Sequence, residues 1–233
     1  SDDTFYLYSA GTLNTVTYSG AQTIQDGGWQ AVTLNDAAYL FQRGYEPLYF
    51  DTISQEVKDI SDGPNASGIA PQGNTVLSAY GRLWAADTVQ NKTTFYWSDL
   101  LDGTRWNSGS AGNLDISSIL INGNDEIVAL GAHNGFLVVF CKNNILIFDD
   151  ADPNKQFLDP TANFQLVEVI SGVGCVARDS VQNTGTDILF LSKSGVRSLG
   201  RVIQEKSQPM RELSKNIRDD LVNLLEGEDL SLI

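Results

Sequence analysis

The residues of this chain that could do chemistry are few and scattered. A single histidine, His133, stands in the short run AHNG. One histidine cannot build a His-rich zinc site, and as the centre of a nucleophilic triad it would need a Gly-x-Ser-x-Gly elbow that the sequence lacks. A turn residue is the plainer reading. Asp150, Asp152 and Asn154 alternate in DDADPN as the first ligands of an EF-hand loop do. The sixth position is Lys155 where that loop needs glycine, and the twelfth is Thr161 where a bidentate glutamate should stand, so a solvated loop without calcium is expected. GVGC at 172–175 precedes a strand-like segment instead of a helix, which argues against a phosphate cradle of the glycine-rich-loop type. With 29 acidic residues, some pair of carboxylates spaced for glycoside hydrolysis will always be found, and abundance makes the observation uninformative. The sequence predicts no catalytic residue, no metal site and no cofactor.

The stretch YWSDLLDGTRWN at 96–107 looks most like a motif. Ser98, Asp102, Gly103, Thr104 and Trp106 resemble a loosened Asp-box, the Ser-x-Asp-x-Gly-x-Thr-Trp hairpin of sialidases and other propellers, with the serine one residue too far upstream and the tryptophan one too far down. Such a hairpin is structural: the aspartate bonds backbone donors and the tryptophan packs. Ser98, Asp102, Gly103 and Trp106 are therefore expected to hold a turn. A sialidase would also need arginines spread over the fold and a Tyr-Glu nucleophile pair, and the eight arginines here crowd toward the C-terminal part.

The elements that would position these residues read as strands. Short runs rich in Val, Ile, Leu, Phe, Tyr and Trp, separated by Gly, Asn, Asp and Ser clusters, extend from residue 4 to about 203. They predict strands at 5–10, 15–19, 31–34, 38–43, 48–52, 76–80, 82–87, 93–98, 126–132, 135–141, 144–148, 164–170, 174–179, 187–192 and 195–199. Tight turns in LNDAAYL, SAYGRLW, AHNGFLV, CKNNILI and SKSGVRS suit hairpins, because their central positions call for positive φ. Tyr39, Leu83, Leu137 and Leu189 occupy like places in four such units, 44, 54 and 52 residues apart. Those intervals lie near the ~40 to 50 residues of a four-stranded propeller blade. The expected fold is all-β, a propeller or partial propeller of about four to five blades over residues 1–205, with a sandwich as the alternative. After Pro209, leucine or isoleucine at 213, 217, 221, 224 and 225 predicts an amphipathic α-helix within a C-terminal segment, 206–233.

The 233 residues carry a net charge of −14, which works against a broad electrostatic surface for nucleic acid. Seven of the fifteen basic residues nonetheless fall between Lys193 and Arg218. Of these, Arg197, Arg201, Lys206 and Arg211 are candidate contacts to an adjoining domain or subunit. No apolar run has the length of a membrane span, and Cys141 and Cys175 read as buried thiols in a reducing compartment. The chain starts at Ser1 and its single methionine is Met210, which suggests a processed product or a piece of a longer protein.

The run GRLWAADTVQNKTTFYWSDLLDGTRWNSGSAGNLDISSIL, continued by NDEIVALGAHNGFLVVFCKNNILIFDD, resembles the tail nozzle proteins (tail tubular protein B type) of short-tailed phages. VIQEKSQPMRELSKNIRDDL resembles the same family's exit from its propeller. The resemblance implies a structural subunit of a hexameric ring in the virion tail, assembled in the host cytoplasm. It would contact tail adaptor and tail fibre proteins and let DNA pass without specific binding. It brings no catalytic residues. A propeller-type glycan-binding protein or glycoside hydrolase is the alternative.

Overall fold

The computed structural model describes residues 4–120, 125–150, 158–161 and 164–204, and two further helical positions, Asp220 and Asn223. The described chain is mostly β and divides into two compact units, one formed by residues up to 91 with 95–114, the other by 92–94 and residues from 115 on.

In the first unit, β1 (Phe5–Ser9), β2 (Thr12–Tyr18), β3 (Gln30–Leu34), β4 (Ala37–Phe41), β5 (Leu48–Asp51) and β6 (Glu56–Asp59) form one sheet in the order β1-β2-β6-β5-β4-β3. Only β2 and β6 run parallel. The period-two alternation of strands sorts side chains between its faces. Tyr39, Phe41 and Tyr49 join Leu34, Val76, Leu83 and Trp106 in one apolar cluster, whereas Leu40, Leu48 and Phe50 join Val16 and Val57 in another. A second sheet has the order β10-β9-β8-β7, from β7 (Gly73–Ala79), β8 (Arg82–Thr88), β9 (Thr94–Trp97) and β10 (Gly112–Asp115). Every residue of β8 is buried: Leu83 and Ala85 face the first cluster, and Trp84 meets Trp97 at 5.8 Å and Phe95 at 6.4 Å between ring centroids.

In the second unit, β11 (Ile127–His133), β12 (Phe136–Cys141), β13 (Asn144–Asp150) and β14 (Phe164–Ser171) form an antiparallel sheet in chain order. β15 (Gln182–Asn183), β16 (Ile188–Ser192) and β17 (Gly195–Ser198) form a smaller one, and α1 (Leu199–Gln204) follows directly. The core is largely aliphatic: Val138, Ile145, Ile147, Ile170 and Ile188 pack with Phe140 and Phe190, whose centroids lie 5.1 Å apart.

The hairpin turns close at pairs of residues with positive φ. Asn35 and Asp36 (φ 49° and 63°), Tyr80 and Gly81 (φ 56° and 70°), and Asn134 and Gly135 (φ 50° and 84°) close β3–β4, β7–β8 and β11–β12. The expected strand at 174–179 does not form; a 3-10 turn at Arg178–Ser180 stands there instead. Gly174 packs so closely on the Lys142 backbone that a Cβ would lie 2.3 Å from it, and Cys175 N donates to Cys141 O at 2.8 Å, so the segment is tied across β12 rather than extended in a ladder. β6, β10 and β15 are not among the expected strands. The predicted helix after Pro209 lies outside the described residues except at Asp220 and Asn223, while α1 begins at Leu199, where a strand was expected to end. Among the described residues no helix is long and apolar enough to cross a membrane.

Candidate functional site

The 96–107 stretch leaves β9 and enters a loop whose polar groups are tied to its own backbone. Ser98 is fully buried; its N–H donates to Leu83 O at 2.9 Å, its hydroxyl accepts from Leu83 N at 3.0 Å and donates to Asp99 O at 3.0 Å. That exchange prolongs the β8–β9 pairing by one residue. Asp102 accepts from Thr104 N at 2.9 Å and from the Thr104 hydroxyl at 2.7 Å, the local bond expected of an aspartate that opens a turn. Gly103 is required by contact: a Cβ there would lie 2.6 Å from both Leu83 Cδ1 and the Tyr39 ring. Trp106 is buried edge-on against Phe41, with centroids 6.1 Å apart, and its indole N–H donates to Gly103 O at 2.9 Å. Asp102, Gly103 and Trp106 thus share one turn, while Ser98 ends the β8–β9 pairing ahead of it.

The group that organises the loop, however, is Asp99, which sequence reasoning passed over. Its Oδ1 accepts from Leu100 N at 2.9 Å, Ser110 N at 2.9 Å and the Ser110 hydroxyl at 2.8 Å, and its Oδ2 faces Arg105 Nη1 at 3.0 Å. The Ser110 N–H, followed by the other donors and the Arg105 charge, holds the carboxyl below its ordinary value. Ser110 is itself clamped, because its carbonyl accepts from Arg82 Nη1 at 3.1 Å and Trp97 Nε1 at 3.0 Å. Gly109, at φ 66°, lets the backbone pass the carboxylate, since a Cβ there would lie 2.2 Å from Asp99 Oδ2. The sequence signal is faint: a carboxylate directly after the buried serine, and Ser-Gly-Ser at 108–110.

Beside this turn lies a pocket of about 220 Å³, lined among others by Asn35, Asp36, Tyr39, Tyr49, Asp51 and Asp102. Burial, and then the Asp102 charge, pushes the Tyr39 phenol up to about 12, so it is a neutral hydroxyl at physiological pH. The Lys58 ammonium at 2.8 Å and the Ile53 N–H hold Asp51 well below the ordinary carboxylate range. The pocket thus presents carboxylates beside two phenols, a lining that could accept hydrogen bonds from hydroxyl groups. Among the described residues no His, Cys, Asp or Glu cluster could hold a metal ion.

The remaining candidates are dispersed. His133 closes the β11–β12 turn with its Nε2 2.9 Å from Asn134 Nδ2. Asp150 is buried and accepts from Asp159 N at 3.2 Å; Asp152 and Asn154 lie outside the described residues. Arg197 is buried in β17 and donates through Nε to Ser192 Oγ at 3.1 Å and through Nη2 to Ser194 Oγ. Arg201 is exposed on α1, and Lys206 and Arg211 lie outside the described residues. Cys141 and Cys175 are free and buried, and burial pushes both thiols up. No protein-family model matches this chain, and no curated protein is significantly similar to it in sequence.

Proposed function

We propose that this chain is a structural part of a short-tailed phage tail, a nozzle subunit whose sheets are propeller blades arranged in a ring of like copies, acting by assembly and not by catalysis. One observation carries the reading. Strands β3–β6, β7–β10 and β11–β14 are three successive runs of four, each adjacent in chain order within its sheet, the first inside a six-stranded sheet, and β15–β17 add a three-stranded one. Four-stranded meanders repeated along a chain are the make-up of blades, which present rigid faces to neighbours. The net charge of −14 suits a passage that must release DNA, because few cations are available to neutralise phosphates. The resemblance to nozzle proteins supplies the identity of the assembly, and tail adaptor and fibre proteins as its neighbours.

The pocket beside Asp102 favours a second reading, a glycan-binding propeller, since carboxylates and tyrosines are side chains that hold sugar hydroxyls. Mass spectrometry of purified phage particles separates the two. Peptides of this chain at a fixed copy number in tails are expected, and their absence from particles, with oligosaccharide binding by the isolated chain, would overturn the nozzle reading.

A further inference from the structure

Three loops meet at one place in the second unit. The β12–β13 turn brings Lys142 and Asn143, the β16–β17 turn brings Ser192, Lys193 and Ser194, and the segment after β14 brings Gly172, Val173 and Gly174. Between them is a pocket of about 80 Å³, with Arg197 also in its wall. We propose that this pocket binds a compact tetrahedral oxyanion of the phosphate type.

Charge, rigidity and size point the same way. The lining carries two lysines and an arginine, and among the described residues none of its members is a carboxylate. Three of the fifteen cations in a chain of net −14 therefore border one small concavity. Two carboxylates stand close by and are themselves engaged: Asp125 accepts from Asn143 N at 3.0 Å and Asn144 Nδ2 at 2.7 Å, and Glu126 pairs with the Lys142 ammonium at 2.8 Å. The frame is already set. Lys193 Nζ donates to Asn143 Oδ1 at 2.8 Å across the two turns, Gly172 N donates to Asn143 O at 3.0 Å, and Arg197 is fixed by the serine hydroxyls. A guanidinium and ammonium groups make charge-assisted bonds to an oxyanion. Size then selects the ligand: 80 Å³ is room for roughly two to three waters, well below the ~300 Å³ where pockets for drug-sized ligands begin. A single phosphate group fits that space.

The test is thermal melting of the full chain in phosphate-free buffer, titrated with inorganic phosphate while chloride keeps ionic strength constant, with a parallel arm of a short duplex oligonucleotide. A saturable rise with phosphate is expected, and Lys193→Gln should weaken the apparent affinity about tenfold, the loss of one charge-assisted contact. Lys142→Gln should act in the same direction. Both lysines are outside the core, so both variants should melt like the parent without phosphate. A rise no larger than chloride gives, a rise untouched by either substitution, or a response to the oligonucleotide alone would overturn the assignment.

Discussion

The two loop clusters handle charge in opposite ways. Around residues 98–110 the carboxylates of Asp99 and Asp102 turn inward onto N–H and hydroxyl donors of their own loop, under a buried tryptophan. Around residues 142–143 and 192–197 the cations border a pocket. The first cluster is a brace, and its polar groups contribute to stability. The second is held by its frame, with Lys142 facing Glu126 and Lys193 donating to Asn143 Oδ1 at the pocket's edge. What separates them is the partner each charge takes: the Asp99 carboxylate accepts from backbone donors, whereas an ammonium can only donate and is met here by side-chain oxygens.

The sharpest way to break this contrast is to remove the braces one at a time. Trp106→Ala should cost about 3 to 5 kcal/mol, because it empties a buried site against Phe41 and removes the bond to Gly103 O; urea unfolding measures it. Asp99→Ala should come next at about 2 to 3 kcal/mol, since the Ser110 and Leu100 donors lose a charged acceptor. Its effect is also pH-dependent. The Asp99 carboxyl is held low in the folded state, so its contribution is complete above its unfolded value of about 4 and is lost as pH falls through the folded value. Melting followed from about pH 6 down to about pH 2 should therefore drop less steeply in Asp99→Asn than in the parent. Asp102→Ala should cost about 1 kcal/mol, because its two bonds both go to Thr104. Lys193→Gln, from the other cluster, should change stability by less than about 0.5 kcal/mol. A Lys193→Gln cost as large as that of Asp99→Ala would erase the distinction.

The hairpins could be read from sequence because a two-residue turn with positive φ restricts residue type, and Asn134-Gly135 satisfies it in plain sight. Strands β6 and β10 could not: EVKD and GNLD hold one strongly apolar residue each, and both owe their conformation to neighbours already paired in the sheet. The segment at 174–179 misled for the reverse reason. Its apolar texture suits a strand, but its backbone bonds run to Cys141 and Leu191 through Cys175 and Val176, a pattern set by tertiary packing. In the candidate site, Asp102 and Trp106 stood out because an Asp-Gly step and a tryptophan are uncommon neighbours. Asp99 did not, because its strongest partner, Ser110, is eleven residues away, and no local spacing announces a bond of that reach. The helix α1 has only six residues, too few for a 3.6-residue period to show.

The central claim is that the acidic and aromatic residues of 96–107 hold the fold and do not act on a ligand. It is tested most directly by measuring melting and oligosaccharide binding on the same preparations of the parent, Asp102→Ala and Trp106→Ala. The account predicts lowered melting for both variants, more for Trp106→Ala, with no oligosaccharide bound by any of the three. A parent that binds an oligosaccharide, with binding abolished in Asp102→Ala while melting stays unchanged, would contradict it.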